Sequence, residues 1–387
     1  MRSLAGGGGA ERVMLNLAAA LASKGRQVDL VMGRLAGHLS DDIPASVNVV
    51  DLDAPIAQAA IPSLLRRPGD AAALGSLMLS PRAPRVLGAI PSLIRYLKRA
   101  RPDALLSTLN YTNIAALIAR DLSQVSTRCV ISIQNHPSRQ IAAARDPRTR
   151  RLAPLMRRFF PRADEIVAVS DGVATDLSQV AEIPRQRIRT IYNPGATAGL
   201  ERRVLEDPEH PWFAEGEPPV LLGVGKFKPQ KDLSTLIRAF AKVRASRPAR
   251  LIILGEGPQE KMLRALAEDL DVSEHIAFPG FVHNPFAYMA RAQVFALSSA
   301  WEGLPLALVE AMACGCPVVS TDCPSGPAEI LQDSRYGRLV PVGDHQQLAE
   351  AIMATLDAPL PTEVLKARAE VFSDRSASQL YEQALVG

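Results

Sequence analysis

The chain has 387 residues, of which 47% are hydrophobic and 22% are charged, and its formal net charge is +4. This length exceeds what one ordinary hydrophobic core organises, so we expect a globular protein with two domains of similar size. No run of eighteen or more uncharged apolar residues occurs, which argues against a transmembrane helix, and the N-terminal "MRSLAGGGGAER" lacks the apolar core of a signal peptide.

The charge is distributed unevenly along the chain. Residues 1–200 carry 26 Lys and Arg against 15 Asp and Glu, whereas residues 201–387 carry 18 against 25. The excess is greatest in residues 61–162, which hold 18 basic and 4 acidic side chains. Such a basic surface can meet nucleic acid, anionic lipid or phosphorylated substrates.

The four cysteines show no disulfide pattern. Cys314 and Cys316 lie close together, but no histidine is near them in sequence to complete a metal site, and Cys129 and Cys323 stand apart. We therefore expect reduced thiols and a cytoplasmic location.

Short β-rich runs alternate with helical patterns through the first half, as in a parallel sheet covered by helices. The stretch "ERVMLNLAAALASKG" has apolar residues at helical spacing and ends at Gly25, which predicts the first helix. Residues 199–218 are rich in Pro, Gly and charge and are predicted to be a linker. Strands are predicted at 27–33, 47–53, 103–109, 129–135, 165–171 and 188–194.

The same alternation starts again after the predicted linker. The final stretch, "DRSASQLYEQALVG", is predicted to be an amphipathic helix. The pattern predicts two doubly wound α/β domains with a cleft between them, where open parallel sheets usually bind ligands. Strands are predicted at 220–227, 250–257, 275–281, 293–299, 317–322 and 337–344, and helices at 231–246, 258–270, 305–314 and 344–356.

Two glycine-containing stretches precede predicted helices. "GGGGAER" at residues 6–12 offers close backbone approach and a helix N-terminus to an anion, although a loose N-terminal tail explains four glycines equally well. "LGEGP" at residues 254–258 either lines a ligand site or forms an ordinary turn.

Lys226 and Lys231 belong to "GVGKFKPQKD", which follows a predicted strand and precedes a predicted helix. Two ammonium groups beside a helix N-terminus suit a diphosphate, and ordinary surface lysines are the alternative. The stretch lacks the GxxxxGK[ST] order of a Walker A loop, and no GxGxxG follows a predicted strand.

Two glutamates occur in "AWEGLPLALVEAM", with Glu302 before a predicted helix and Glu310 inside it. Pro305 suits the first turn of that helix and Gly315 suits its end. Either Glu302 caps the helix and Glu310 faces water, or both contact one ligand. Because a carboxylate accepts two hydroxyl hydrogen bonds at once, the two glutamates and the lysines together suggest a nucleotide sugar.

The stretch "SSAWEGLPLALVEAMACGCPVVSTDCPSGPAEIL" closely resembles the signature of retaining glycosyltransferase family 4, which has the GT-B fold and an E-x7-E motif. "GGGGAERVMLNLAAAL", "VAVSDGV", "IYNP" and "VGKFKPQKDLSTLIRAF" resemble further segments, so the resemblance covers nearly the whole chain. It implies two Rossmann-like domains that face a central cleft, namely an acceptor-binding domain at 1–198 and a nucleotide-sugar-binding domain at 219–370. It also implies that a helix at 371–387 crosses back and packs on the N-terminal domain.

The resemblance assigns roles to the charged motif residues. Lys231 is expected to hold the donor diphosphate and to act in catalysis. Lys226 stands where the family usually has arginine, which keeps the charge but loses the bidentate fork. Glu310 is expected to hold the ribose, and Glu302 is expected to lie beside the transferred sugar as a catalytic residue.

Backbone groups and one histidine complete the expected site. Gly303 and Leu304 are expected to offer N–H groups to sugar or phosphate, and Gly8 and Gly9 to approach the diphosphate. Some family members have a catalytic histidine after the strand that precedes "IQNHPS". His136 is therefore either catalytic or a loop histidine that hydrogen-bonds its neighbours.

The implied activity is transfer of a hexose or N-acetylhexosamine, with retention, from a nucleoside-diphosphate sugar, expected to be UDP-linked. The acceptor is expected to be a glycan or a lipid-linked sugar in cell-surface polysaccharide synthesis. No cofactor and no metal ion are expected, and "DLD" at 51–53 is assigned to a loop rather than to a metal site. The alternatives are a nucleotide-sugar 2-epimerase of the same fold and a non-enzymatic protein that binds membrane or nucleic acid.

Two basic segments of the first half also contain apolar residues. They are "IPSLIRYLKRARP" at 90–102 and "RDPRTRRLAPLMRRFFPRADE" at 145–165. Basic groups near an anionic leaflet favour membrane binding. We therefore expect peripheral contact with an anionic membrane at the inner face of the plasma membrane, and no nucleic-acid partner.

The first strand of the N-terminal domain is expected to be missing. A doubly wound domain needs a strand before its glycine loop, and only "MRSL" precedes "AGGGGAER". Family members place an apolar run there, and in the usual order that strand is central. Its absence leaves its neighbours without hydrogen-bond partners.

Overall fold

The computed structural model describes residues 9–34, 43–80, 83–144, 146–195 and 199–387. The chain divides into two compact units. The first unit comprises Met1–Asn193 together with Arg375–Gly387, and the second comprises Pro194–Asp374.

The strands of the first unit form two parallel sheets. One sheet pairs β1 with β2, and the other has the order β3-β4-β5-β6. In the four-stranded sheet each strand is joined to the next through at least one helix, as parallel pairing requires. The strands are β1 (Asp29–Met32), β2 (Asn48–Asp51), β3 (Ala104–Thr108), β4 (Arg128–Ile133), β5 (Glu165–Ala168) and β6 (Ile188–Thr190).

Helices surround these strands because their apolar faces need cover. In the first helix Val13, Leu17 and Leu21 are buried at helical spacing. The helices before the second unit are α1 (Gly9–Ser23), α2 (Ile61–Leu64), α3 (Pro68–Met78), α4 (Ile90–Ala100), α5 (Asn110–Ser123), α6 (Pro137–Ala142), α7 (Pro147–Arg150), α8 (Leu152–Phe159) and α9 (Asp171–Ala181).

The second unit contains one six-stranded parallel sheet, in the order β12-β11-β10-β7-β8-β9. Its strands are β7 (Val220–Val224), β8 (Arg250–Leu254), β9 (Ile276–Gly280), β10 (Val294–Leu297), β11 (Val318–Thr321) and β12 (Arg338–Val340). Its helices are α10 (Leu200–Arg203), α11 (Leu233–Ser246), α12 (Glu260–Asp269), α13 (Pro285–Met289), α14 (Leu306–Ala313), α15 (Pro327–Leu331), α16 (His345–Asp357) and α17 (Thr362–Ala369). Because helices cover both faces, its central strands are buried along their whole length.

The last helix, α18 (Asp374–Val386), belongs almost entirely to the first unit. Tyr381 is buried among Leu17, Val130 and Val167, and its hydroxyl lies 3.1 Å from the Ser132 Oγ. Burial raises the pKa of Tyr381 to about 12. The helix is thus part of the first unit's core.

The predicted α/β architecture is confirmed. The twelve strands found in the described residues lie inside or within one residue of the predicted ranges, because buried parallel strands are apolar runs bounded by turn residues. Most predicted strands run a few residues too far at the carboxyl end. There the chain has already left the sheet and entered the loops that precede the helices.

The segment expected to be a linker, residues 199–218, is instead part of the second unit. It contains α10, and the Asn284 side chain donates to the Arg203 carbonyl at 2.8 Å. The Tyr288 hydroxyl donates to the Pro208 carbonyl at 3.0 Å. Its Pro, Gly and charge content marks irregular backbone, which here is held by side-chain hydrogen bonds.

The expectation of a missing first strand concerns residues 1–4, which lie outside the part of the chain that the structure describes. Within the described ranges, no strand joins the β1-β2 sheet to the β3-β4-β5-β6 sheet.

Apolar residues of the two basic segments contribute to the hydrophobic core. In α4, Leu93, Ile94 and Leu97 are buried, and in α8, Leu155 and Met156 are buried. The basic residues of both helices lie on the outer faces. Both segments contain amphipathic helices whose exposed faces are basic, so their basic residues, and not these buried apolar ones, are placed to meet an anionic surface.

No helix in the described residues is long and apolar enough to span a membrane.

Candidate functional site

The loop between β7 and α11 places Lys231 at the carboxyl end of the second unit's sheet. It runs from Gly225 through a short 3-10 turn, Pro229–Lys231, to Asp232. The Gly225 N–H donates to the Leu254 carbonyl at 2.9 Å, and the Phe227 N–H donates to the Glu256 carbonyl at 2.9 Å. The loop is therefore bound to the end of the neighbouring strand β8.

Two glycines of "LGEGP" allow this close approach. A Cβ at Gly255 would lie 2.1 Å from the Gly225 carbonyl oxygen, and one at Gly257 would lie 2.5 Å from the Phe227 carbonyl oxygen. Gly255 also has φ of +129°, which side-chain-bearing residues rarely adopt. These glycines are needed for backbone packing against the lysine loop.

Lys231 and Glu302 form an ion pair in the second unit. The Lys231 Nζ lies 2.5 Å from the Glu302 Oε1, and the two side chains are only 22% and 7% exposed. The Lys231 side chain passes over Gly225, whose missing side chain leaves it room. A mostly buried ammonium and carboxylate thus face each other where parallel sheets bind ligands.

Further hydrogen bonds join the Lys231 loop to the Glu302 loop. The Ser298 Oγ donates to the Lys231 carbonyl at 2.9 Å, and the Ser299 Oγ donates to the Glu302 Oε1 at 2.6 Å. The Gln230 side-chain amide donates to the Trp301 carbonyl at 3.1 Å. The positions of the two charged groups are therefore fixed by hydrogen bonds between the two loops as well as by the ion pair.

The structure does not support the alternative in which Glu302 caps the helix and Glu310 faces water. The hydrogen bonds found for the Glu302 carboxylate join it to Lys231, Ser299 and Gln230 and do not cap the following helix, α14. Glu310 is only 7% exposed, so it does not face water. Burial, with the Glu310 carboxylate nearby, raises the pKa of the Cys314 thiol to about 12, which keeps that thiol protonated.

The segment "SGPAEI" packs against the loop before α14. Gly326 has φ of +94°, and a Cβ there would lie 2.5 Å from the Pro305 Cδ and 3.2 Å from the Leu304 Cα. Gly303 and Leu304 are buried in this loop. Only glycine at position 326 lets the two segments pack at this distance.

Lys226, by contrast, has an exposed side chain on the same loop as Lys231. Gly9 is the first residue of α1, with open space where a Cβ would be. Gly8 lies outside the described residues. Within the described ranges, no group of three or more His, Cys, Asp and Glu side chains is arranged to hold a metal ion.

His136 lies in the first unit, at the start of α6, and pairs with Asp176 of α9. The His136 Nδ1 lies 2.9 Å from the Asp176 Oδ2, and the Ser138 N–H donates to the same oxygen at 2.8 Å. Burial on its own would raise the pKa of Asp176, but the hydrogen bonds from His136 and Ser138 hold it below the usual value. The arrangement orients the imidazole with its Nδ1 toward the carboxylate.

Sequence reasoning missed Gln230, Ser299 and Asp176. Gln230 directly precedes Lys231 in "KPQKD", and Ser299 lies three residues before Glu302 in "SSAWE". Polar residues so close to a motif are too common to indicate a role in the site. Asp176 is 40 residues from His136, and only the packing of α6 against α9 brings them together.

Comparison with known proteins identifies the family. The model "Glycosyltransferase Family 4" matches residues 7–195, and the model "Glycosyl transferases group 1" matches residues 207–371. Together they account for nearly the whole chain. The chain belongs to glycosyltransferase family 4.

This family 4 chain is similar in sequence to curated glycosyltransferases. One relative is the N-acetylgalactosamine-N,N'-diacetylbacillosaminyl-diphospho-undecaprenol 4-alpha-N-acetylgalactosaminyltransferase of Campylobacter jejuni. The two sequences are 32% identical over 254 residues, and the aligned region covers 64% of this chain and 66% of that protein. The matches span slightly less than two thirds of the length of this relative and smaller shares of other curated relatives.

Solved structures share the GT-B fold of this family 4 chain. The lipopolysaccharide outer core galactosyltransferase WaaB, in its apo form, superposes with a TM-score of 0.71 at 19% identity, covering 99% of this chain and 97% of that one. HepE of Anabaena in complex with UDP-glucose superposes with a TM-score of 0.69 at 20% identity, again covering 99% and 97%.

Proposed function

We propose that the chain is a retaining glycosyltransferase. It moves a hexose or N-acetylhexosamine from a nucleoside-diphosphate sugar, most simply a UDP-sugar, to a glycan or lipid-linked acceptor in cell-surface polysaccharide synthesis. The observation that carries the proposal is the mostly buried Lys231–Glu302 pair, with a second buried carboxylate, Glu310, on the helix that follows. Family membership alone does not require these charges to be buried.

The cations suit the diphosphate of the donor. Lys231 presents an ammonium group beside the helix α11, and Lys226 adds a second positive charge from the same loop. A hydrogen bond to a charged group is worth about 1.5–3 kcal/mol. As the sugar leaves, negative charge grows on the diphosphate, and a fixed ammonium group stabilises that charge. In this proposal Lys231 takes this role without a metal ion.

The carboxylates suit the hydroxyl groups of the donor. Glu310 binds the ribose, and Glu302 contacts the transferred sugar, while backbone N–H groups of Gly303 and Leu304 add donors. The ion pair with Lys231 keeps Glu302 oriented, so a bound sugar meets a carboxylate that is already in place. Glu302 then acts by orientation and charge rather than as a covalent nucleophile. This suits a mechanism in which the acceptor attacks from the face that the diphosphate leaves, so that the anomeric configuration is retained without a sugar–protein bond.

In this proposal the first unit binds the acceptor, and His136 is its candidate catalytic residue. The imidazole is oriented by Asp176, which leaves Nε2 without a hydrogen-bond partner in the described residues. A neutral imidazole with this tautomer accepts a proton at Nε2.

Names of the relatives support the donor and acceptor classes. HepE binds UDP-glucose, and the Campylobacter jejuni relative acts on an undecaprenol-linked diphosphate. A lipid-linked acceptor would require peripheral contact with the inner face of the plasma membrane. No observation favours the 2-epimerase or a nucleic-acid-binding protein.

The test is a donor screen. Thermal shift with UDP-, GDP- and ADP-sugars should show one stabilising donor, and incubation with it should release the nucleotide in the presence of EDTA. NMR of the glycoside formed with a lipid-linked acceptor should show the donor's anomeric configuration retained. Binding of nucleic acid with no binding of any nucleotide sugar would refute the proposal, and dependence on a divalent cation would refute its metal-independent part.

A further inference from the structure

Helix α3 buries its one charged residue and exposes only uncharged residues. Its sequence, PGDAAALGSLM, has one charged residue, Asp70, and that residue is buried. A helix that is apolar on all sides is normally enclosed. Here the described residues leave one side of the helix exposed.

The exposed side of α3 carries no charge. Its exposed positions recur at helical spacing and continue to Leu79 at the end of the helix, which is 76% exposed. Leu65, just before the helix, is 65% exposed. We call this surface the α3 face, and it consists of Leu65, Pro68, Gly69, Ala72, Ser76 and Leu79.

Arginines border the α3 face. Arg66 is exposed directly before the helix. From the neighbouring segment, the Arg151 Nη1 donates to the Ser76 Oγ at 2.7 Å, and the Arg158 guanidinium lies against Gly69. In residues 54–101 the only acidic residue is Asp70, so the border has no exposed carboxylate from this part of the chain.

A groove with excess positive charge opens beside the start of the helix. It has a volume of about 480 Å³ and is lined by three arginines and two aspartates, together with Pro68 and Gly69. Asp70 is neutralised inside it by Arg162 and Arg158, at 2.6 and 3.1 Å. Burial opposes ionisation of Asp70, but these arginines lower its pKa below the usual value, so it stays ionised. The third arginine, Arg67, pairs with Asp121, which leaves one net positive charge.

We propose that the α3 face is the surface by which the first unit docks on an anionic bilayer. Leu65 and Leu79 enter the headgroup region, and the bordering arginines and the groove contact lipid phosphates. An apolar face bordered by arginines is the pattern of a helix that lies in the membrane interface. The inference rests on the proposed function only in that a lipid-linked acceptor gives the docking its purpose.

The charge pattern favours lipid over a second protein. A protein partner would need exposed carboxylates opposite the arginines, and the α3 face of a second copy would present Arg66, Arg151 and Arg158 but no exposed carboxylate from residues 54–101. Anionic lipids supply phosphates at every point of the surface, so arginines on both sides of the apolar strip can be satisfied together.

Vesicle co-sedimentation at low salt tests the proposal. The wild-type chain should sediment with vesicles of phosphatidylglycerol and phosphatidylcholine and remain in solution with phosphatidylcholine alone. The double variant Leu65→Ser/Leu79→Ser and the double variant Arg66→Gln/Arg151→Gln should each bind about tenfold more weakly. Leu205→Ser is the matched control, because Leu205 is 78% exposed in the second unit and its variant should bind as the wild type does.

Unchanged binding of both double variants would overturn the proposal, as would equal binding of the wild type to neutral vesicles. A wild-type dimer in light scattering that Leu65→Ser/Leu79→Ser dissociates, with no vesicle binding, would assign the face to self-association instead. Melting temperatures verify that the variants fold. Donor binding measured on the same samples separates the two proposals, because a chain that binds vesicles but no nucleotide sugar contradicts only the proposed function.

Discussion

Lys231 and Glu302 lie 71 residues apart in sequence, and their charged atoms are 2.5 Å apart in the fold. The reason is that β7 and β10 are adjacent parallel strands, so the loops that leave their carboxyl ends meet. Each loop brings one charge, and the hydrogen bonds of Gln230 and Ser298 hold the loops together. The pair is therefore a product of strand order, and it is the centre of the proposed donor site.

Lys231→Ala should nearly abolish turnover and should also lower the melting temperature. It removes the ammonium group proposed for the diphosphate, and one charged hydrogen bond is worth about ten- to a hundredfold. It also leaves Glu302 mostly buried without its partner, which costs about 3–5 kcal/mol of stability.

The double variant Lys231→Met/Glu302→Gln separates these effects. Without charges the pair should recover most of the lost melting temperature but none of the activity. Lys261→Ala, at an exposed position of the second unit, is the control and should behave as the wild type. Full activity of Lys231→Ala would contradict the donor-site assignment.

Glu310→Ala should weaken nucleotide-sugar binding by about ten- to a hundredfold, because it removes the buried carboxylate proposed to accept the ribose hydroxyls. Isothermal titration with the donor found by screening measures this directly. Glu268→Ala, on an exposed position of α12, should bind the donor normally. Equal affinities for both variants would show that Glu310 has a structural role alone.

Asp176→Asn should lower the melting temperature at pH 7, and the difference from wild type should shrink on acidification. The pKa of Asp176 in the folded chain lies below its ordinary 3.8, because hydrogen bonds from His136 and Ser138 outweigh the effect of burial. The unfolded chain therefore binds more protons as the pH falls past about 4, and the stabilisation is lost there.

The same variant tests the orientation of His136. Nitrogen NMR should show the Nδ1-protonated tautomer in the wild type and a mixture of tautomers in Asp176→Asn. Replacement of the exposed His283 by Gln should change neither measurement. A constant stability difference between pH 7 and pH 3 would contradict the assigned interaction.

Acidification should destabilise the second unit through His275. Its ring nitrogens lie 3.1 Å from Arg244 Nη2 and 2.8 Å from Arg250 Nη1. Burial, and then the charges of these arginines, lower the pKa of His275 below its ordinary 6.5. The unfolded chain thus binds more protons below about pH 6.5, so stability falls as the pH drops through this range.

His275→Gln should remove part of the loss of melting temperature between pH 7.5 and pH 5.5. His283→Gln, at an exposed position, should leave the wild-type dependence unchanged. The interpretation fails if His275→Gln and the wild type lose the same number of degrees over that interval.

Gly326→Ala should destabilise the chain and weaken donor binding. A methyl group there would lie 2.5 Å from the Pro305 Cδ, and Gly326 has φ of +94°, so both packing and backbone are strained. Gly343→Ala is a matched control, because Gly343 has φ of +79° but open space around it. Both variants bear the backbone cost of about 1–3 kcal/mol, and only Gly326→Ala should also lose donor affinity in a titration. If the two variants lose equal affinity, the Gly326 contact does not support the Glu302 loop.

Local sequence was sufficient for the elements and for the site motifs. The strands are apolar runs bounded by turn residues, and the helices have apolar residues at helical spacing, so both patterns predict structure over a few residues. Lys231, Glu302 and Glu310 were identifiable because "GVGKFKPQKD" and "AWEGLPLALVEAM" place charged residues in or just after the segment that joins a predicted strand to a helix. The family resemblance then named their roles, and the family matches support it.

Tertiary structure alone decided which groups meet and which faces are covered. The pairing of Lys231 with Glu302 and of His136 with Asp176 depends on strand order and helix packing, which no local pattern encodes. The apolar residues of α4 and α8 are buried, whereas α3, with almost no charge, keeps an exposed face. Amphipathic spacing says that a helix has an apolar side, but only the positions of its neighbours determine whether that side is enclosed.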